Sequence, residues 1–252
     1  CAIAGRAPYY GLHLPEDRKA QVVLDVSGLS ATLRVQDAFF PVLGALIGKE
    51  AGTAVPAVLG INEATEDQLK SMCAGAAATG AVAVTHIIGI TPEAPSLEAV
   101  AASQHETVTV TAAMIAQARD SLSQAPDGAI DCVALGSPHF SADECRALLA
   151  LARGKPFKVP VYICLGRHTL TDLESDGAHR ALEALGAVLV VDTCVVVTPL
   201  LPDRAGVMMT NSAKFAYYAT GNTGHLALFG TLGECVASAQ AGRVRRVAGA
   251  WA

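Results

Sequence analysis

Short apolar runs alternate along this chain with longer stretches in which apolar residues recur every three or four positions, the pattern of buried strands alternating with amphipathic helices. Gln21 to Val26 reads as a strand, Asp37 to Ala51 as a helix and Val55 to Ile61 as a second strand. Glu63 to Ala78 forms a helix opened by Asn62 or Thr65, with Leu69, Met72 and Cys73 on one face, and Ala81 to Ile88 is a buried strand ending at Gly89. The theme then repeats. Thr109 or Thr111 opens a helix to about Ser123, Ile130 to Leu135 is a strand, and Ser141 caps a helix through Ala152, with Glu144 at the spacing of a capping box. Val159 to Leu165, Thr171 to Leu185 and Ala187 to Val191 make one more strand–helix–strand unit, and Val195 to Val197 continues as a short strand before Pro199. Finally, Ala205 to Met209 reads as a strand, Asn211 or Ser212 as the cap of the next helix, and Gly221 as its stop after about two turns.

Such βαβ alternation predicts an α/β protein with parallel-rich sheets flanked by helices. Pro92, Pro95 and small residues interrupt the pattern between Thr91 and Ser103, which divides the chain into two α/β lobes, 1–95 and 96–252. No repeat of solenoid period and no low-complexity segment is present.

Composition narrows the function classes. Of 252 residues, 52% are hydrophobic and only 16% charged, with a formal net charge of −5, so much of the chain is interior and no electrostatic footprint for nucleic acid exists. Arg243, Arg245 and Arg246 are too small a cluster to supply one and read as a solvated tail. No run approaches the roughly 18 apolar residues of a membrane span and no signal sequence opens the chain, so a cytoplasmic protein without a membrane partner is expected. Seven cysteines (Cys1, Cys73, Cys132, Cys145, Cys164, Cys194 and Cys235) form no Cys-x-x-Cys pair, which points to reduced thiols, most of them packing residues. With Cys1 in place of an initiator methionine, the sequence reads as a piece of a longer polypeptide.

Candidate chemistry gathers where strands are expected to end, the place open parallel sheets bind ligands. Ser212 and Asn211 stand at a helix N-terminus, whose free N–H groups suit an anion, and Lys214 adds a positive charge. Other strand ends carry Gly136-Ser137-Pro138-His139-Phe140-Ser141, Asp192-Thr193-Cys194, and His86 with Thr91-Pro92-Glu93-Ala94, while Tyr9-Tyr10-Gly11-Leu12-His13 opens the chain. Singly, each has a structural explanation: a turn, a strand end, a core histidine, a capped helix. Neither a Gly-x-Ser-x-Gly elbow nor a Gly-x-Gly-x-x-Gly loop is present, which leaves hydrolase and nicotinamide chemistry without support.

These segments, together with Gly5-Arg6-Ala7-Pro8 and Met209-Thr210-Asn211-Ser212-Ala213-Lys214, resemble the aconitase X family in order and spacing across essentially the whole chain. The resemblance implies an aconitase-like α/β fold and a hydro-lyase; its Gly136-Ser137-Pro138-His139-Phe140-Ser141 variant favours a cis-3-hydroxy-L-proline dehydratase of hydroxyproline metabolism, with a mevalonate 5-phosphate dehydratase as the alternative. It further implies that this chain is the later part of a large subunit, partnered by the remaining N-terminal part and by a small swivelling domain or subunit.

Dehydrating a hydroxy acid requires loss of a weakly acidic proton beside a carboxylate and departure of hydroxide, for which a Lewis-acidic iron is suited. The resemblance places that iron in an iron–sulfur cluster with Cys194 as a ligand. Some members carry Cys-Pro-His where this chain has Ser137-Pro138-His139, and serine is a poor iron ligand, so a [2Fe–2S] cluster is expected ahead of [4Fe–4S] or mononuclear iron. Ser212 is the candidate base, aided by the helix N-terminus and Lys214. Alternatively, Ser212 and Asn211 only bind the substrate carboxylate and His139 is the base. Thr210, Ser137, Tyr9, His13, His86 and Glu93 complete the candidate substrate contacts. The non-enzymatic alternative is a carboxylate-binding α/β subunit.

Overall fold

The computed structural model describes residues 1–201 and 206–247. After two single-turn 3-10 helices at Gly11–His13 and Glu16–Arg18, the first half runs β1 (Ala20–Asp25), α1 (Ala31–Arg34), α2 (Phe39–Ala51), β2 (Pro56–Leu59), α3 (Glu66–Gly80), β3 (His86–Ile87), α4 (Leu97–Val100), β4 (Ala101–Thr109) and α5 (Ala112–Ser121). The second half runs β5 (Cys132–Phe140), α6 (Ala142–Ala152), β6 (Val161–Leu165), α7 (Arg167–Asp176), α8 (Ala178–Ala184), β7 (Ala187–Val191), β8 (Val207–Thr210), α9 (Ala213–Thr223), β9 (Leu226–Phe229) and α10 (Leu232–Ala241). Two all-parallel sheets result, ordered β3-β2-β1-β4 and β7-β6-β5-β8-β9. The expected α/β class with parallel sheets and flanking helices is therefore what forms.

Alternation along the strands decides which layer each face meets. Val22 and Leu24 of β1 join Phe39, Leu43 and Ile47 of α2, Met72 of α3, Ile115 of α5, Phe215 of α9 and Ala134 and Tyr162 of the second sheet in one core. Helices α2, α3, α5 and α9 thus lie between the sheets. On the far face of the second sheet, Val133, Leu135, Ile163 and Leu165 pack with Leu148 of α6, Leu182 of α8 and Val236 of α10. Each such Leu, Ile or Phe contributes about 1.5–3 kcal/mol by leaving water.

Helices α2 and α3 approach so closely that side chains are excluded at the contact. A Cβ on Gly44 would lie 2.1 Å from the Met72 carbonyl oxygen, and one on Gly80 would lie 1.9 Å from that of Gly48. On propensity alone, Gly44→Ala in a helix gains about 1 kcal/mol. Overpacking against an unyielding backbone costs about 1–3 kcal/mol and outweighs that gain. The variant's urea midpoint is therefore expected to fall, and a rise would show that the helices separate at little cost.

Several expectations are corrected. Ala81 is the left-handed cap of α3, its N–H bonding Ala77, so only His86 and Ile87 of the expected strand from Ala81 to Ile88 pair with β2. The interruption after residue 95 does not separate the sheets, because β4 lies beyond it and pairs with β1 from the first sheet. The helix expected from Thr171 to Leu185 is two helices broken at Gly177. Val195 to Val197 is a turn rather than a strand, the Cys194 carbonyl accepting from both Val197 and Thr198. Helix α9 runs through Gly221 to Thr223 and ends at Gly224, because Phe215, Ala216 and Ala219 are buried on its inner face and packing offsets the glycine. Ala205, the expected start of the preceding strand, lies outside the described residues. Arg246 is no solvated tail residue: it donates to Phe229 O at 2.7 Å and pairs with Asp127 at 2.9 Å.

Candidate active site

In the order β7-β6-β5-β8-β9 the chain winds outward in both directions from β5 and β8, so their C-terminal ends enclose the switch point of the second sheet. Sequence chemistry converges there. Strand β5 leaves its regular pairing with β6 between Leu135 and Phe140, which carries Ser137, Pro138 and His139 outward through a cis Ser137–Pro138 peptide. From β8, the Thr210 hydroxyl accepts the Ser212 N–H at 3.1 Å and turns the chain into α9. Ser212 is the N-cap, its Oγ accepting the Phe215 N–H at 3.1 Å. The same hydroxyl donates to the Ser137 carbonyl, tying the two sides of the switch point together.

His139 reaches a third strand end. Its Nε2 lies 3.1 Å from the Thr193 carbonyl beyond β7. A carbonyl only accepts, so Nε2 carries the proton and, in the neutral ring, Nδ1 is the basic atom. Cys194 follows Thr193 and is half-buried. Asp192 accepts the Arg167 N–H at 2.9 Å and its Nε at 2.6 Å; these bonds hold its carboxyl below the ordinary carboxylate range. Asn211, half-buried, lines a cavity of about 260 Å³ with Asp67, Gln68 and Glu144. Lys214 is also half-buried and has no hydrogen-bond or ion-pair partner among the described residues.

Thr210 is fully buried and spends its hydroxyl on the turn. Ser137 is buried too, and it is its backbone oxygen that meets Ser212. The remaining candidates form a separate group. His13, His86 and Glu93 surround Arg18, just before β1, in a cavity of about 430 Å³. There Arg18 Nε donates to Glu93 at 2.7 Å and His86 Nε2 bonds the Arg18 carbonyl at 2.7 Å. Tyr9 is exposed. None of these four lines the cavities that hold Asn211 and His139.

One group escaped the sequence reading. Lys70 of α3 donates to Asp67 at 2.5 Å, to Glu144 of α6 at 3.0 Å and to the His139 carbonyl at 2.9 Å. Nothing in a helical lysine announces such partners. Glu144 is legible only as the capping-box residue that it also is, accepting the Ser141 N–H at 3.0 Å. Burial works to lower the Lys70 pKa, but bonds to Asp67 and Glu144 outweigh it and hold the ammonium above the usual lysine value. Burial pushes the Glu144 carboxyl up.

Thiol environments separate the cysteines. Burial pushes Cys132, Cys145 and Cys164 to about 12, and Cys235 is raised as well, so all four are inert packing thiols. No group of three or more His, Cys, Asp or Glu side chains suited to a metal ion occurs among the described residues. Cys194, half-buried at a strand end, is not among those four deeply buried thiols.

Fold and site together define a parallel α/β protein with a serine and a histidine at one sheet's switch point and a thiol next in sequence to the residue that the histidine bonds. Comparison with known proteins makes this specific: family models for the aconitase X second domain and third domain match residues 20–120 and 130–241. The chain belongs to the aconitase X family. Residues 121–129, from the end of α5 toward β5, separate the two matches, so they divide the chain as its two sheets do. A cis-3-hydroxy-L-proline dehydratase of Pseudomonas aeruginosa is 39% identical over 259 residues, covering 100% of this chain and 44% of that protein. A phosphomevalonate dehydratase large subunit of Methanothermobacter thermautotrophicus is 34% identical, covering 88% of this chain and 54% of that subunit. The crystal structure of Thermococcus kodakaraensis aconitase X in its holo-form superposes with a TM-score of 0.81 at 31% identity, covering 94% of this chain and 60% of that one. The chain therefore spans about half the length of the curated relatives it matches. No helix among the described residues is long and apolar enough to cross a membrane.

Proposed function

We propose that this chain supplies the acid–base half of a hydro-lyase that dehydrates a small hydroxy acid, with cis-3-hydroxy-L-proline as the substrate. The observation that carries the reading is the junction at the switch point, where Ser212 Oγ bonds the Ser137 carbonyl while His139, from the same corner, reaches Thr193 beside Cys194. In this reading the α9 N-terminus, Asn211 and Lys214 bind the substrate carboxylate. Once the bound substrate parts Ser212 Oγ from the Ser137 carbonyl, Ser212 gives up its own proton and receives the proton from the carbon beside the carboxylate. His139 Nδ1, the atom of the neutral ring left basic by the Thr193 bond, would take the proton that Ser212 gives up and return it to the departing hydroxide. Loss of the proton and the 3-hydroxyl yields water and an enamine, which tautomerises to pyrroline-2-carboxylate.

An iron–sulfur cluster, of [2Fe–2S] type in this reading, would supply Lewis-acid assistance to the departing hydroxyl. Cys194 would hold one corner of it, and the remaining thiolates and the small swivelling domain would come from the rest of the assembly. His13, His86 and Glu93, the three residues around Arg18, would shape a second polar surface toward that assembly. Mevalonate 5-phosphate is the alternative substrate, favoured by the match to phosphomevalonate dehydratase large subunits.

The test is an anaerobic assay of the assembled enzyme with both substrates, alongside its visible and EPR spectra. Turnover of cis-3-hydroxy-L-proline to pyrroline-2-carboxylate is expected. Turnover of mevalonate 5-phosphate alone would transfer the assignment, and absence of both would leave a carboxylate-binding subunit.

A further inference from the structure

We propose that Lys70 is a positioning residue for the catalytic corner, a clamp by which the second domain sets the Ser137 carbonyl and His139 against Ser212. The inference rests on the dehydratase reading for its kinetic consequence but on geometry alone for the clamp.

Three anchors hold the corner between β5 and α6. Ser212 Oγ takes the Ser137 carbonyl, the Thr193 carbonyl takes the His139 ring, and Lys70 Nζ takes the His139 carbonyl. The third comes from the first half of the chain, as does Asp67 of the same helix, which accepts the Ser141 hydroxyl. The third is also the anchor with a charge behind it. Asp67 accepts Lys70 with one oxygen and the Ser141 hydroxyl with the other at 2.6 Å, and Glu144 Oε2 accepts both Lys70 and the Ser141 N–H. An ammonium has three donors, and all three are used.

Removing Lys70 does more than delete one bond. It leaves Asp67 and Glu144 as two half-buried carboxylates converging on Ser141, with their mutual repulsion uncompensated, and frees the carbonyl two residues from Ser137. The corner then shifts, and the groups that must meet the substrate lose register. A displacement of about 1 Å at a reacting pair costs on the order of 10²-fold in rate. Lys70 makes no hydrogen bond to the α9 N-terminus, where the substrate carboxylate is proposed to bind, so the loss is expected to fall on kcat.

The experiment uses the assembled enzyme with Lys70→Met, and with Lys70→Arg as the conservative variant that retains the charge. For Lys70→Met, kcat is expected to fall about 10- to 100-fold with KM within about twofold. Lys70→Arg should recover a large part of the rate. Hydrogen–deuterium exchange should show faster exchange in the peptide spanning Ser137 to Glu144 and unchanged exchange in β6 and β8. A kcat within about twofold of the parent, or a rise in KM alone, would overturn the proposal. Loss of protection throughout the chain, with Lys70→Arg no better than Lys70→Met, would also overturn it, since that is merely structural damage. If the parent turns over neither substrate, the dehydratase reading fails, and the exchange comparison still decides the clamp.

Discussion

Ser212→Ala is expected to reduce dehydration by about 10²–10⁴-fold, the usual contribution of a positioned general base, in a protein that still folds. The stability cost is bounded by what the hydroxyl does in the fold. It caps α9 through the Phe215 N–H, and an N-cap of this kind is worth about 0.5–2 kcal/mol. It also donates to the Ser137 carbonyl, and leaving that buried acceptor without a partner costs about 1–3 kcal/mol more. Against the 5–15 kcal/mol typical of a native domain, that loss lowers the denaturation midpoint without unfolding the chain. Rate and stability therefore separate, and steady-state kinetics beside a urea titration measure both.

The same variant decides between the two candidate bases. Ser212 cannot give up its proton while it faces a carbonyl oxygen, because an alkoxide there would meet a second lone pair rather than a donor. Its action as base requires the substrate to part the pair. His139 has no such obstacle, since its Nε2–H is spent on Thr193 and Nδ1 remains basic. If Ser212→Ala keeps its rate within about tenfold and His139→Gln loses it, the base is His139 and Ser212 only orients the carboxylate.

What the sequence made legible was what local chemistry determines. Ser141 and Glu144 announce a capping box and form one; Thr65, one of two residues expected to open α3, forms another with Gln68. Ser212, one of the two residues expected to cap α9, is its cap. Long-range decisions were illegible. β4 is largely exposed, with neither alternation nor an apolar run to mark it, and is a strand only because β1 offers a parallel edge. Val195 and Val196 look like a strand and are buried like one, but the Cys194 carbonyl turns them into a loop. Beyond Gly221 the reading stopped short of β9 and α10, although Leu226 to Phe229 and the Thr231/Glu234 capping box carried the signals. Of the site, residue types at the second sheet's strand ends were readable. That His13, His86 and Glu93 gather around Arg18 instead was not, because it depends on where β1 and β4 begin.

Gly136→Ala is expected to be the most damaging single methyl group in the chain, lowering stability by about 3 kcal/mol or more and abolishing activity in whatever remains folded. Two effects act together. At a φ of +88° the residue occupies backbone space that L side chains rarely adopt, which alone costs about 1–2 kcal/mol. In addition, a Cβ there would lie 2.0 Å from the Cys164 carbonyl oxygen, a backbone atom of the neighbouring central strand that cannot swing aside. Relief requires β5 to move away from β6 at the point where the register between them already shifts. Ser137 is the next residue, so any such movement carries its carbonyl away from Ser212 and draws His139 off Thr193. Glycine at this position is thus where the sheet's packing and the site's geometry become one constraint. Urea denaturation gives the stability loss, and the rate of the folded fraction gives the second effect. A Gly136→Ala protein as stable and as active as its parent would mean that the corner is not held by the β5–β6 contact, and the geometry argued for Ser212 would lose its foundation.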